Sequence, residues 1–290
     1  MNLALVVTTL GRLAPLERLL DSLRGQLVPG DRVVVVTQRE VEAVRQLTAQ
    51  HEASDKLIVI TSEPGATRAR NAGVAALDGE FLLMFPNDTT WFPDGALARI
   101  RDAIADRPVG AMTVTDEHGP KFVLPLAGTA LDRWNVWRVI EMGLLIQRSL
   151  FMRVGGFDST IGTGAATPWQ AGEVTDLLLR LLRDAPEESA TFAWLAPNVA
   201  VGGVSDPAGL SAAERRRKLR AYGRGLGRLV ARWRYPLWWR LAFLWGGLAF
   251  GLRNRATNSL ADGWWVFIGR LEGARGRLLG RATDIAAVTR

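Results

Sequence analysis

The sequence predicts an α/β protein built on a mostly parallel sheet, followed by a basic helical extension. Two observations carry the sheet. Short apolar runs of strand length alternate with helical patterns through the first ninety residues, which is how βαβ units read in a sequence. The runs, such as Arg32-Val-Val-Val-Val-Thr37 and Phe81-Leu-Leu-Met-Phe85, are continuously apolar, as parallel strands buried on both faces are. A third observation carries the extension. Residues 1–210 hold 19 Lys and Arg against 25 Asp and Glu, whereas residues 211–290 hold 17 against 4. The basicity of the chain belongs to its tail.

Taken in order, Leu3–Val7 is a first strand, and Pro15 opens a helix with Leu16, Leu19, Leu20 and Leu23 at helical spacing. Pro29-Gly30-Asp31 turns into the second strand, residues 40–50 are helical, and Lys56–Thr61 is a third strand. A loop broken by Pro64 and Gly65 leads into a helix whose Ala69, Ala72, Ala75 and Ala76 form a small, closely packing face, stopped by Gly79. Phe81–Phe85 follows. The middle is less regular, with strands expected at Gly110–Thr115, Lys121–Leu126 and Gly143–Ile146, and a helical turn at Ser149–Val154. Glu173–Arg183 is a helix and Thr191–Leu195 the last strand. The expected domain boundary falls at 210/211.

Composition excludes several chemistries. With no cysteine there are no disulfides or thiolate metal sites. His51 and His118 have no partner at a metal-ligand spacing, which argues against triad hydrolases and histidine-ligated zinc enzymes. The first residues lack a basic start and a full apolar core, so no signal peptide is expected and a cytoplasmic chain is.

Asn87-Asp88-Thr89 sits where the fourth strand ends, and ligands of open α/β sheets bind outside the carboxyl ends of strands. A lone carboxylate there, with Arg68 and Arg70 nearby, suggests a divalent cation and a phosphorylated ligand; the competing reading is a turn cap. Glu173 and Asp176 are one helical turn apart, on one face. Acids so placed are favoured by the helix N-terminus. Trp169 either stacks on a ligand or packs in the core. Arg148 either meets a diphosphate or is solvated.

In the tail, Glu214–Arg220 begins a basic helix, and Tyr235–Leu252 is an apolar stretch interrupted by Arg240. That stretch is shorter than the roughly 20 residues a spanning helix needs. Six of the eleven tryptophans lie beyond residue 211, and Arg interleaved with Trp fits a helix lying in a membrane interface. Packing of these aromatics on the core is the alternative. A nucleic-acid arm is disfavoured, because Trp238-Trp239 and Trp264-Trp265 lie among Leu, Phe and Gly rather than spaced through a basic groove.

Residues 1–205 resemble the inverting GT-A glycosyltransferases of family two, which have a nucleotide-diphospho-sugar transferase, Rossmann-like sheet. The resemblance rests on Val7-Thr-Thr-Leu-Gly-Arg12, Gly65-Ala-Thr-Arg-Ala-Arg-Asn-Ala-Gly73, Phe85-Pro-Asn-Asp-Thr89, and Val154-Gly-Gly-Phe-Asp158 followed by Gly172-Glu-Val-Thr-Asp-Leu177. It implies that Thr8, Thr9, Arg12, Gln38, Arg68, Arg70, Asn71, Asn87 and Asp88 bind a UDP-, dTDP- or GDP-sugar. It also implies that Asp88 holds Mg²⁺ or Mn²⁺, and that Glu173, or else Asp176, is the base. Trp169 and Arg148 are acceptor-side candidates. Asn87 and Thr89 stand where the family often has acids, and Val174 where it often has aspartate. The implied function is sugar transfer to a hydroxyl of a polyprenyl-diphosphate-linked acceptor, in cell-envelope or exopolysaccharide synthesis, by a protein peripheral on the inner face of the cell membrane. A non-catalytic sugar-nucleotide binder or membrane scaffold with a degenerate site is the alternative.

Overall fold

The computed structural model describes residues 1–203, 209–253 and 258–280. The chain divides into two compact units, one of Met1–Pro64, Arg68–Phe157 and Leu177–Ser205, the other of Gly65–Thr67, Asp158–Asp176 and Asp206–Arg290.

The strands and helices of the first half run β1 (Leu3–Thr9), α1 (Leu13–Asp21), β2 (Arg32–Thr37), α2 (Val41–Gln50), β3 (Leu57–Thr61), α3 (Ala66–Ala75), β4 (Leu82–Met84), α4 (Ala96–Ile104), β5 (Val109–Ala111), β6 (Thr113–Asp116), β7 (Gly119–Pro120), β8 (Leu144–Gln147) and α5 (Arg148–Arg153). After these come α6 (Glu173–Asp184), α7 (Pro186–Ala190), β9 (Ala193–Trp194), β10 (Ala200–Gly202), α8 (Ala212–Arg232), α9 (Leu237–Phe250) and α10 (Leu260–Arg275).

In the first unit, a seven-stranded sheet has the order β3-β2-β1-β4-β8-β5-β9. β1, β2, β3 and β4 are mutually parallel, and β8 is antiparallel to both β4 and β5. The expected mixed, mostly parallel sheet is what forms. All seven residues of β1 are buried, so its unbroken apolar run reflects cover on both faces. Leu16, Leu19, Leu20 and Leu23 join that core as spaced.

Four local expectations change. The buried positions of α3 include Ala69, Arg70, Gly73 and Val74, with Leu77 just beyond its end, while Ala75 and Ala76 are exposed. A Cβ on Gly73 would collide with Val6 and Val36, so the closest approach to the sheet is made by the glycine, not the alanines. The single strand expected at Gly110–Thr115 is two, because the chain leaves the main sheet at Met112 and pairs in a three-stranded sheet of order β10-β6-β7. Lys121–Leu126 forms no strand; β7 is the dipeptide just before it, and β10, which follows Thr191–Leu195, is the true last strand.

One buried acid organises the start of the sheet. Asp31 is fully buried and accepts from the backbone N–H of Leu3 and of Val28, each at 2.9 Å, and from Arg101.

In the second unit, α8 and α10 lie so close that side chains are excluded at the crossing. A Cβ on Gly223, Gly227, Gly269 or Gly273 would fall on backbone of the other helix. Both helices open with complete capping boxes, Ser211 with Glu214 and Ser259 with Asp262. Burial, with Arg253 nearby, pulls the Arg270 guanidinium down to about 10; it donates to the Phe243 carbonyl across the α9–α10 pair. Among the described residues no helix is long and apolar enough to cross a membrane.

Glu272, fully buried on α10, accepts from Arg220, Arg224 and the Leu279 N–H. Burial alone raises its pKa, but these donors outweigh that and hold it below the ordinary value of 4.5. A depressed carboxylate contributes stability above its unfolded pKa and loses it as pH falls through the folded one. Melting of the wild type followed by circular dichroism should therefore be insensitive to Glu272 above about pH 4.5 and fall in more acid solution. Glu272→Gln should be less stable at neutral pH and show a shallower acid loss.

Candidate active site

In the first unit, β1 and β4 end side by side. Parallel pairing of Leu3–Leu5 with Leu82–Met84 continues as a bridge between Thr8 and Asn87, which sets Thr9 next to Asp88. The Asp88 carboxylate is buried, at 1% exposure. It accepts from Thr9 Oγ1 at 2.7 Å and from Arg12 Nε at 3.1 Å on one oxygen, and from an Arg12 Nη on the other. The Arg12 side chain is itself 56% exposed, so this fork closes over Asp88 from the solvent side. Thr9 Oγ1 also accepts from the Gly11 N–H, which fixes the hydroxyl. Asn87 turns inward, its Oδ1 accepting from Thr89 N–H and Oγ1 and from Thr90 Oγ1. Beyond it the chain is pinned to β10: Trp91 and Gly202 exchange both backbone hydrogen bonds, and no side chain fits at Gly202 against the indole.

Beneath this turn, Phe85, Phe151 and Phe157 make a closed triangle of rings with centroids 4.9–5.3 Å apart. Asn71 ties α3 to it, donating to the Phe157 carbonyl at 2.7 Å and accepting from the Phe157 N–H at 3.0 Å. Arg70 is almost fully buried, paired with Glu141 at 3.3 Å and stacked over Phe157, while Arg68 is exposed. Gln38 is half-buried, and its N–H donates to the Thr9 carbonyl. Thr8 is buried beside Pro86. Arg148 donates to the carbonyls of Val74 and Gly79.

The second unit holds the acidic pair. Glu173 is buried, at 7% exposure, in the first turn of α6. Gly162, at φ +107°, presents its backbone to the Glu173 carboxyl, and Gly172, at φ +104°, turns the chain into the helix against Leu229. Both positions combine a left-handed φ with no room for Cβ, which leaves glycine alone suited to them. Asp176 is fully buried, accepting from Trp233 Nε1 at 2.9 Å with Arg232 at 3.7 Å. Arg232 also donates to Asp158 at 2.7 Å; burial raises the Asp158 pKa, but Arg232 and Thr160 together leave it lowered. Trp169 is half-buried under the Arg228 guanidinium, 5.5 Å from the ring centre.

Thr9, Arg12 and Asp88 are thus brought together, and Arg70 and Asn71 are drawn to Phe157. Sequence reasoning misses that Arg12 closes on Asp88, that Glu141 neutralises Arg70, and that Trp233 and Arg232 occupy Asp176. The last pair comes from the C-terminal end of α8, Trp233 being 57 positions away, and no local pattern announces it.

The sheet order, β3-β2-β1-β4-β8-β5-β9, is that of an α/β fold of the GT-A type. The family model described as "Glycosyl transferase family 2" matches residues 4–157, a little over half of the chain, and the protein belongs to that family and is a glycosyltransferase. Solved structures with the same fold include S. aureus TarS 1-349, at 16% identity and a TM-score of 0.58, with 96% of this chain and 92% of that one covered. TarS 1-349 in complex with UDP-GlcNAc, at 14% identity, has the same TM-score, covering 96% and 93%. The mannosyltransferase PcManGT from Pyrobaculum calidifontis, in complex with GDP-Man and Mn²⁺, has 15% identity and a TM-score of 0.56, covering 94% and 87%. No curated protein matches the chain.

Asn71 gives a direct test of how this site is held. Asn71→Leu removes both partners of a buried peptide and should cost about 2–4 kcal/mol in urea unfolding, since each orphaned group costs about 1–3 kcal/mol. Asn71→Asp, which keeps the acceptor, should lose less.

Proposed function

We propose that this glycosyltransferase moves a sugar, with inversion, from a nucleotide sugar to a hydroxyl of a lipid-linked glycan acceptor. The observation that carries the reading is the buried Asp88 at the end of β4, gripped by Thr9 and Arg12 within the family-matched segment. UDP- and GDP-sugars are the favoured donors, because the similar structures hold UDP-GlcNAc and GDP-Man.

Among the described residues no group of three His, Cys, Asp or Glu forms a metal cluster. The donor chemistry at Asp88 nevertheless fits a cation of the Mg²⁺ or Mn²⁺ kind, which takes one or two carboxylates and completes its shell with phosphates and water. Mn²⁺ in the mannosyltransferase complex supports the same reading. Asp88 is the residue that would hold the ion, and bound there it would neutralise charge on the departing nucleoside diphosphate. Both Asp88 oxygens are already engaged by Arg12, so the guanidinium and a cation compete for one carboxylate. Arg12, being half exposed, is free to swing onto the donor phosphates, where its planar fork binds in a bidentate way.

Glu173 is proposed as the base that takes the acceptor proton while the hydroxyl oxygen attacks the anomeric carbon. Asp176 is the weaker candidate, because an indole N–H already occupies its carboxylate; we assign it to holding the start of α6. Association with the membrane surface is proposed through exposed apolar residues of α9 and α10, such as Leu237, Trp238, Trp245 and Trp264, on the cytoplasmic side. Envelope or exopolysaccharide assembly is the setting this acceptor class implies.

Two measurements check the assignments. Glu173→Gln should lower kcat by about 10²–10⁴-fold with donor binding retained; an unchanged kcat sinks the base assignment. In a thermal-shift panel of UDP-, dTDP- and GDP-sugars, Asp88→Ala should lose the Mn²⁺-dependent part of the shift. Arg12→Ala should lower the Mn²⁺ concentration needed for half effect, and an Asp88→Ala protein with the full metal response would remove Asp88 from the cation.

A further inference from the structure

The helical unit contains a cavity of about 300 Å³ lined by Ala213, Arg216, Arg217, Arg220 and Arg224 of α8 and by Trp265 of α10. Its four guanidiniums are not a solvated charge run. Arg220 and Arg224 are buried and grip Glu272, with Arg224 Nε donating at 2.7 Å. Arg216 lies 3.4 Å from the fully buried Asp262, which Arg215 also engages at 2.7 Å. Arg217 is exposed and joins no ion pair among the described residues. Four arginines therefore stand on two buried carboxylates, with Arg217 beside them; both Glu272 oxygens accept from arginines, and Asp262 Oδ2 accepts from Arg215 and Ser259.

The arrangement leaves positive charge facing the cavity, with Arg220 and Arg224 held in place by Glu272. Arg224 donates to Glu272 through Nε and is among the residues that line the cavity. The α8–α10 crossing fixes the backbone beneath, with Gly273 against Arg224 and Gly269 against Arg220. Rigid, clustered guanidiniums recognise phosphate through bidentate hydrogen bonds, and the flat wall of Trp265, with Arg220 5.1 Å from its ring centre, adds an apolar side.

A second observation says what kind of phosphate. Trp264, adjacent to the cavity-lining Trp265, is exposed, as is Leu260 one turn earlier. On α9, Leu237, Trp238, Leu241 and Trp245 form one exposed stripe at i, i+1, i+4 and i+8. An anion pocket beside exposed tryptophans suits an amphiphile whose head is anionic and whose chain stays in the bilayer interface. We propose that this cavity binds the phosphate or diphosphate head of a membrane lipid. The proposal deepens the membrane association proposed above and rests on it, but needs nothing from the donor site.

The full chain is tested by sedimentation with phosphatidylcholine vesicles carrying either farnesyl diphosphate or phosphatidylglycerol, beside calorimetric titration with inorganic pyrophosphate. The variant is Arg216→Gln with Arg217→Gln, which spares the Glu272 pairs and leaves Arg215 on Asp262. Wild type should bind vesicles carrying a phosphorylated lipid at least about tenfold more tightly than plain ones, and the double variant should lose about tenfold or more. Preference for farnesyl diphosphate identifies an acceptor-type head, and equal binding of both lipids a general headgroup; each supports the site. Vesicle binding untouched by the double variant overturns it, as does pyrophosphate bound as tightly as the lipid, or duplex DNA retained where vesicles are not. Because no nucleotide sugar is present, failure here leaves the glycosyl-transfer reading standing, and failure of donor binding in the thermal-shift panel leaves this one standing.

Discussion

The candidate site depends first on the register between β1 and β4. Their parallel pairing runs from Leu3–Leu82 to the bridge at Thr8–Asn87, and it alone decides that Thr9 meets Asp88. Side chains alternate along a strand, so a one-residue slip would turn Asp88 away from Thr9 and turn the apolar run of β4 inside out. The register is anchored at its other end by Asp31, which binds the Leu3 N–H and is tied to α4 through Arg101. One buried acid thus fixes where the strand begins, and a second, Asp88, gathers the groups where it ends. Both carboxylates are held by an arginine as well as by neutral donors. Removing either partner would leave a buried charge unpaired, which is costlier than losing a surface pair.

The role of Arg12 follows from the same geometry. A buried carboxylate without a counter-charge is expensive, so before any cation or phosphate arrives Asp88 needs a positive partner. Arg12 provides it from a side chain more than half exposed. The partner that makes Asp88 tolerable in the free protein is therefore the one most easily moved. The absence of neighbouring acids, which in the sequence reads as a weakened cation site, acquires a physical counterpart: with Asn87 and Thr89 engaged in the turn itself, the site carries one negative charge, and one guanidinium balances it.

Much of the fold is legible because the first four strands announce themselves as uninterrupted apolar runs and pair with sequence neighbours or across β1. Legibility ends where strands become short. β5 has three residues and β9 two, too few for any periodicity to register, and the change of sheet at Met112 has no marker in the residues. Helix α3 shows a subtler loss: alanine and glycine both read as small, and only the approach to Val6 and Val36 singles out Gly73. At the site, the residue types and their order are readable, but their partners are not. Asp176 with Trp233, Arg70 with Glu141, and Asn71 with the Phe157 peptide are all long-range pairings that topology creates.

The basic tail illustrates the limit of counting charge. Read as a sum, residues 211–290 form one strongly positive segment attractive to any polyanion. In the structure its arginines divide by what stands behind them. Arg215, Arg216, Arg220 and Arg224 are organised by two acids at zero exposure, while Arg232 serves the acids near the start of α6 and Arg270 is consumed by the Phe243 carbonyl. Glycines at the α8–α10 crossing bring backbones close enough for this buried lattice to exist. Field strength at a surface depends on charges left uncompensated and unable to move, not on the total. That distinction turns a basic tail into a shaped site, with tryptophans exposed beside the arginines rather than interleaved among them.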